Sequence, residues 1–366
     1  MSRNMRPLFF TVLFALIRVC FLPGETVAPF VMPSARFSAL GGVHTALGDD
    51  FYSLFTNPAS FVGVEDQFSV SELTISMYGP VFEILDLAAD KKNLSNMELS
   101  AGVDVGGPLS LGWVGRGLGI GIFNRLTGNF AINSGVTFDI AGDVFITGGY
   151  SVRMIEKEEH IFDAGFLGKG FFRAAMLLQP ALQFDGSMFD NQQYFKTILG
   201  IGLDLGVKYN YAGIFTAALA CFDAFSPALV TTYASYDDFK NKNPLGSGTY
   251  GSIDPRLGLG FSYRIRAPFL DRYVSNFLIL ADYRNFLNFF DIIPRNPVLN
   301  ISLGAEIVVL EKFSLRFGIA DALPAAGFGI DLSFMKLDCS IYGKELGLDP
   351  GIQPVYAIDL GLLFRY

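Results

Sequence analysis

Few side chains in this sequence are suited to catalysis, and their neighbours do not supply the partners that catalysis needs. The only histidines are His44 and His160, and neither lies beside a nucleophile motif of the kind that a hydrolase uses. Gly117, Gly119 and Gly121 have the spacing of a nucleotide-binding loop, but they lie inside an alternating strand pattern with no helix after it. The three cysteines form no CxxC or Cys/His metal spacing. We therefore expect no enzyme activity, no metal and no cofactor.

The composition indicates a membrane protein. Hydrophobic residues make up 51% of the 366-residue chain, charged residues make up 17%, and the mean hydropathy is +0.39. Soluble proteins carry about 25% charged residues. The net charge is −8, and no basic patch alternates with aromatic residues, so we expect no nucleic-acid partner.

A closed β-barrel fits this composition better than a bundle of helices. The longest stretches without Asp, Glu, Lys or Arg, Phe51–Val64 and Tyr209–Phe222, span about 14 residues, whereas a membrane-spanning helix needs about 20. Apolar residues alternate with small or polar ones along the chain, as in Leu199–Tyr209 and Leu257–Ile265. A soluble β-sandwich alternates as well, but it has no core large enough for so many Leu, Ile and Phe residues.

The strand count follows from the length beyond Phe68. At about 10 residues per strand plus turns, this part of the chain holds about 12 to 16 strands. We place fifteen candidate strands, including starts near Met97, Leu109 and Phe130. One candidate must be wrong, because single-chain bacterial barrels have an even number of strands. Large loops are expected over Asp86–Ser95, Phe171–Tyr194 and Phe225–Ser252.

Both ends of the chain indicate export to an outer membrane. Arg3 and Arg6 precede the apolar run Leu8–Ile17, which is typical of a secretory signal peptide cleaved between Gly24 and Ala28. A lipid anchor on Cys20 is the alternative, and Arg18 argues against it. The final strand places six apolar or aromatic residues on one face: Tyr356, Ile358, Leu360, Leu362, Phe364 and Tyr366. A terminal aromatic residue on such a strand is typical of the signal that barrel-assembly machinery binds.

The region between the leader and the first strand has an unusual pattern. It contains Gly41-Gly42, apolar residues at near-helical spacing, the acidic pair Asp49-Asp50, and an Asn57-Pro58-Ala59 turn signal. This region resembles the N-terminal hatch of the FadL-like long-chain fatty-acid transporter family. The resemblance continues in three later segments: Ser302-Leu303-Gly304-Ala305-Glu306, Ser314-Leu315-Arg316-Phe317-Gly318 and Gly327-Phe328-Gly329.

The resemblance implies an all-β fold, a transmembrane antiparallel barrel of about 14 strands plugged by a small hatch. It divides the chain into a signal peptide (1–28), an N-terminal hatch (29–66) and a transmembrane β-barrel (67–366). It also implies passive transport across the outer membrane of hydrophobic molecules, such as long-chain fatty acids. These molecules would bind in the lumen and leave sideways through the wall, with outer-membrane lipid and the assembly machinery as the other partners.

Candidate ligand-binding residues follow from the chemistry of a fatty acid. Burying about 16 methylenes at about 0.8 kcal/mol each provides enough free energy for binding. Aromatic residues that line such a groove would be Phe51, Tyr52, Phe55 and Phe61. Packing against the wall is the alternative role for each of them.

The carboxylate of a fatty acid needs a basic partner, and an Arg fork suits it. Four basic residues lie at positions that face the lumen in the alternating pattern: Lys208, Arg264, Arg266 and Arg316. Their alternative role is to pair with lumen carboxylates, for which the candidates are Asp204, Glu306, Asp331 and Asp359.

Two other functions are compatible with a barrel. One is a structural or interaction barrel, either a surface adhesin or a factor in secretion and assembly, for which a closed lumen without ligand would be expected. The other is a general porin for polar solutes, which should conduct ions. The hatch pattern and the apolar composition argue against the porin.

Overall fold

The computed structural model describes residues 24–365 except 49, 80–98, 133–135, 181–190, 267–272 and 292. The expected loop at Asp86–Ser95 and the terminal Tyr366 lie outside these residues. Within the described part of the chain, no helix is both long and apolar enough to cross a membrane.

Eighteen strands account for most of the described chain. They are β1 (Glu25–Val27), β2 (Gln67–Gly79), β3 (Leu99–Gly106), β4 (Leu111–Gly115), β5 (Leu118–Ile132), β6 (Val136–Lys157), β7 (His160–Pro180), β8 (Asn191–Tyr211), β9 (Phe215–Phe225), β10 (Pro227–Tyr233), β11 (Thr249–Ile253), β12 (Arg256–Arg264), β13 (Val274–Tyr283), β14 (Ile301–Val309), β15 (Phe313–Ala320), β16 (Leu323–Asp331), β17 (Met335–Glu345) and β18 (Pro354–Arg365).

The helices are short. Helix α1 (Ala35–Ala39) and two 3-10 helices (Phe51–Phe55 and Pro58–Gly63) precede the barrel. Helix α2 (Tyr236–Lys240) lies between β10 and β11, and two further 3-10 helices (Phe286–Phe290 and Pro297–Asn300) lie between β13 and β14.

The strands close into an antiparallel barrel of fourteen wall strands. Three of these are interrupted, so that β3 with β4, β9 with β10, and β11 with β12 each form one wall strand. β18 closes the ring by pairing with β2, from Tyr356 opposite Gly79 to Arg365 opposite Ser69. Closure gives every wall strand two neighbours, which a strand needs in lipid because no water is present to bond a free edge.

The wall alternates as the sequence predicts. Leu199 and Ile201 on β8 point outward and are 60% and 57% exposed, whereas Asp204 on the same strand is buried in the lumen. On β18, Ile358, Leu360 and Phe364 face outward. An exterior of Leu, Ile and Phe around a closed ring is the surface of a multi-pass outer-membrane β-barrel.

Three expectations about the wall were wrong in detail. The candidate strands at Met97 and Leu109 are β3 and β4, the two halves of one wall strand, and β5 begins at Leu118 rather than near Phe130. The range Phe171–Tyr194, expected as a loop, begins and ends in strand, because β7 continues to Pro180 and β8 begins at Asn191. Likewise, Phe225–Ser252 contains β10, α2 and the start of β11.

The chain from residue 24 to residue 66, here the N-terminal segment, lies inside the barrel. It contacts wall strands that are not neighbours in the ring, with Arg36 bonded to Glu306 of β14 and Asn57 bonded to the Val207 carbonyl of β8. β1 runs parallel to β11, with Glu25 opposite Gly251. Residues 24–28 fall within the range predicted as signal peptide, and the end of the leader stays a prediction.

Candidate functional site in the barrel lumen

Helix α1 carries the first polar residue of the lumen site, Arg36. Ser34 caps the helix, and its hydroxyl accepts a hydrogen bond from the Phe37 amide at 3.5 Å. The helix ends at Ala39, and Gly41 and Gly42 follow it with φ angles of 71° and 78°, which favour glycine. A side chain at Gly41 would also meet the Ile319 carbonyl oxygen at 2.6 Å, so this turn lies directly against the wall.

A buried network of ion pairs joins this helix to the wall. Arg36 donates to Glu306 Oε2 at 2.7 Å and to Asp50 Oδ2 at 2.7 Å. Arg316 on β15 donates to Glu306 Oε1 at 2.7 Å and to Asp338 of β17 at 2.5 Å. Lys336 on β17 completes the network at 3.4 Å from Asp50 and 3.9 Å from Asp338. Three cations thus balance three carboxylates, as burial of charge requires.

Mild acid is expected to leave this network intact. Burial alone would raise the pKa of the Asp50 carboxyl, but Arg36 and Lys336 hold that pKa below its ordinary value of 3.8. A carboxyl group whose pKa is lower in the folded protein than in the unfolded chain stabilises the fold at pH values above its unfolded pKa. That stabilisation is lost only as the pH falls through the folded pKa. Proteolysis of the N-terminal segment should therefore be the same at about pH 7 and about pH 5. Faster cleavage at the lower pH would show that another group controls the contact.

The Asn57-Pro58-Ala59 turn contacts a second part of the wall, at β8 and β9. Asn57 is fully buried, and its amide Nδ2 donates to the Val207 and Leu219 carbonyls of β8 and β9 at 3.1 and 3.3 Å. Its Oδ1 accepts from the Ala59 amide at 3.0 Å and so caps the second 3-10 helix. Gly206 on β8 makes room for it, because a Cβ there would lie 1.9 Å from Asn57 Oδ1.

Aromatic rings form a continuous series through the lumen. Phe55 lies 4.5 Å from Phe123 between ring centroids, and Phe51 lies 6.0 Å from Phe123. Tyr52 continues the series beside Phe51, at 6.3 Å. Phe61 is fully buried in the same hydrophobic cluster. The predicted aromatic residues therefore lie together, and they pack the N-terminal segment against the wall.

The wall contributes three rings to this series in one row. Phe123, Phe145 and Phe171 lie opposite one another on β5, β6 and β7 and point into the lumen. Phe30 of the N-terminal segment meets the end of the row, with its ring 4.4 Å from that of Phe171. Arg173 holds Phe30 from the other side, with its guanidinium 4.2 Å from the ring centre.

The predicted basic residues separate into two places. Lys208 and Arg264 line one polar pocket of about 230 Å³, together with Arg153 and Asp163. This pocket lies where the strands are joined by short turns, such as Glu158-Glu159 between β6 and β7. Arg316 lies elsewhere, 1% exposed and bonded to two carboxylates in the ion-pair network. Arg266 donates to the Ala212 carbonyl at 3.2 Å.

Sequence reasoning missed several residues that shape the site. Arg36 carried no signal beyond its place in a short helix, and its partner Glu306 is 270 positions away. The row of Phe123, Phe145 and Phe171 becomes visible only when strand register is known. The only signal that the sequence offered was that each of these phenylalanines lies at an inward-facing position of its strand.

The comparisons support this fold. A Pseudomonas aeruginosa FadL homologue has a TM-score of 0.50 with 10% identity, covering 94% of this chain and 99% of its own. The Pseudomonas putida toluene transporter TodX has a TM-score of 0.51 with 11% identity, covering 93% of this chain and 99% of its own. No protein-family model matches the sequence, and no curated protein matches it. The chain therefore shares the fold of these barrels.

Proposed function

We propose that this protein is a passive outer-membrane transporter of hydrophobic molecules and that its N-terminal segment acts as a hatch. The observation that carries the proposal is the series of aromatic rings that runs from the wall at Phe171 to the N-terminal segment at Tyr52. A lumen filled with water and ions would not be lined this way, because apolar surface in water is unfavourable. The toluene transporter and the FadL homologue with the same fold lend support.

The N-terminal segment would keep the lumen closed to polar solutes. Its two anchors lie on separate parts of the barrel wall, the ion-pair network at Glu306 and the buried Asn57 between β8 and β9. Between them, the aromatic cluster is the apolar surface that a hydrophobic molecule can share. Such a molecule would replace contacts between the rings with its own contacts to them. Little apolar surface would therefore become exposed to water.

Binding of a long-chain fatty acid tests the proposal directly. A fluorescent fatty acid bound to the refolded protein should be displaced in a saturable way by unlabelled fatty acid. Phe55→Ala should weaken this binding, since Phe55 is a partly exposed member of the aromatic cluster. Phe313→Ala, on the outer face of β15, is the matched control and should bind as wild type. A folded protein that shows no saturable binding would favour the interaction-barrel alternative.

The polar pocket suggests where a carboxylate would lie. Lys208 and Arg264 both line it, and a hydrogen bond to a charged group contributes about 1.5–3 kcal/mol. The double variant Lys208→Ala/Arg264→Ala should therefore weaken binding of a fatty acid about tenfold or more. Binding of the matching fatty alcohol should not change. Lys312→Ala, at an exposed turn of the same end, is the control.

The outcome of that measurement also separates substrate classes. If the fatty acid and the fatty alcohol lose affinity equally, the pocket shapes the lumen without binding a carboxylate. If neither the fatty acid nor the fatty alcohol loses affinity, a substrate carboxylate does not bind in this pocket, and neutral hydrophobic compounds are favoured as substrates. In neither case would the proposal of hydrophobic transport itself be affected.

A further inference from the structure

Strand β11 has a wall strand along one edge and the N-terminal segment along the other. β10 pairs with it over Pro227–Val230. On the other edge lies β1, in parallel, with Glu25 opposite Gly251 and Val27 opposite Ile253. Among the described residues, β11 pairs with no other strand. An unpaired strand edge leaves backbone N–H and C=O groups without partners, so β1 completes the pairing of β11.

The side chains of β1 fit this position. Val27 is 3% exposed and belongs to the same hydrophobic cluster as Val230 of β10 and Ile253 of β11. Glu25 forms an ion pair with Lys196 of β8 at 2.6 Å. The buried valine contributes apolar burial, whereas the exposed ion pair contributes little to stability and mainly fixes the position of the strand.

The residue after β1 is bonded to the wall as well. Arg173 of β7 donates to the Ala28 carbonyl at 2.9 Å, and the same guanidinium bonds Asp143 of β6 at 2.6 Å. The Ala28 side chain itself is exposed. The chain from Glu25 to Ala28 is therefore part of the folded barrel, although it lies within the range predicted as leader.

The position of β1 limits where the predicted leader can end. The sequence places cleavage between Gly24 and Ala28, and a cut after Glu25, Thr26, Val27 or Ala28 would remove part or all of β1. A cut after Gly24 leaves the strand whole. Gly24 is also a small residue, as the position before the cut requires.

The residue after the cut agrees with this choice. A cut after Ala28 would place Pro29 next to the bond to be broken, and proline has a fixed φ angle and no backbone N–H. A cut after Gly24 places Glu25 there, which carries neither restriction.

We propose that the leader is removed by hydrolysis of the Gly24–Glu25 peptide bond and that β1 is the first strand of the mature protein. The partner is a signal peptidase of the exporting cell. Water adds across the bond, so the leader leaves with the carboxyl group of Gly24 and the mature chain begins with the α-amino group of Glu25. The proposal shortens the predicted leader from residues 1–28 to residues 1–24, and it does not depend on what the barrel transports.

The intact mass and N-terminal sequence of the protein purified from outer membranes test this proposal. The expected result is the loss of residues 1–24 and a first residue of Glu25. A first residue between Thr26 and Pro29 would overturn the proposal, because β1 would be cut or absent. A chain that keeps Gly24 would overturn it too, because another bond would then have been hydrolysed.

Two leucine variants locate the bond independently. Gly24→Leu places a large residue before the proposed cut, so full-length precursor should accumulate and the Glu25 start should be lost. Ala28→Leu does the same at the rival bond, and the exposed side chain there tolerates the change, so processing should remain as in wild type. Because leucine at position 24 of an uncut chain would also approach the Tyr250 carbonyl, the readout is processing and not folding. Normal processing of Gly24→Leu would contradict the proposal.

The role of β1 in the mature protein is tested by Val27→Asp. A carboxylate in the apolar cluster should detach β1, and hydrogen exchange of the amides in Thr249–Ile253 should accelerate. Val31→Asp is the matched control, since Val31 is 48% exposed, and its exchange should be that of wild type. Wild-type exchange in Val27→Asp would show that β1 is not a strand of the mature barrel.

Discussion

Replacing Arg36 with methionine is expected to release the N-terminal segment from the lumen and open a pore for ions. The change leaves Arg316 as the cation beside Glu306 and leaves Lys336, at 3.4 Å, as the cation beside Asp50. Removing one member of a buried ion pair costs about 3–5 kcal/mol, because the remaining charge stays in a medium that solvates it poorly. Conductance of single proteins in a planar bilayer should rise from near zero to that of an open barrel.

Two further variants show whether the effect comes from the buried charge. Arg36→Lys keeps the charge but not the fork that bonds both carboxylates, so its conductance should be intermediate. Arg116→Met removes an exposed pair with Asp66, at 2.9 Å, in which the arginine is 83% exposed. Exposed pairs contribute little, so this variant should remain closed. A closed Arg36→Met barrel would mean that the aromatic cluster and the Asn57 anchor hold the segment in place without Arg36.

Replacing Asn57 with leucine should loosen the second anchor, at β8 and β9. The change leaves the Val207 and Leu219 carbonyls without the Nδ2 donor, and each buried group that loses its partner costs about 1–3 kcal/mol. Hydrogen exchange of the amides in Pro58–Gly63 should accelerate, because this 3-10 helix also loses its cap at Ala59.

The matched control is Asn243→Leu, since Asn243 is an exposed residue near α2 with a single side-chain contact to Asp238 at 3.4 Å. That variant should exchange as wild type in Pro58–Gly63. Gly206→Val should disturb the same anchor from the side of the wall, because a Cβ at Gly206 would overlap Asn57 Oδ1. If all three variants exchange alike, Asn57 sets the local turn and does not hold the segment to the wall.

The barrel could be predicted from the sequence because the alternation that specifies each strand is local along the chain. Outward and inward residues alternate within each strand, so Leu199, Ile201 and Asp204 could be assigned to their faces without knowledge of neighbouring strands. The closing strand β18 was equally clear from its apolar face. The part of β7 after Phe171 was mistaken for a loop, because it is a nearly continuous apolar run without the alternation seen in the other strands.

The candidate site could be predicted only in part, because it depends on contacts between distant residues. Phe51, Tyr52 and Phe61 were identified by type, and the structure places them in one cluster. The separation of Arg316 from Lys208 depends on the order of strands around the ring, which alternation within a strand does not encode. The role of Arg36 depends on Glu306 in the same way.

Uptake and conductance measured together on one protein test the central claim, that the closed barrel passes hydrophobic molecules and excludes ions. Cells that lack their own channels for hydrophobic compounds should take up such a compound faster when they contain this protein. The same protein in a planar bilayer should show almost no ion conductance, because the N-terminal segment closes the lumen. Ion conductance of an open channel in the wild-type protein would contradict the account and favour a general porin. A closed barrel that gives no uptake would also contradict it, and would favour a structural or interaction role.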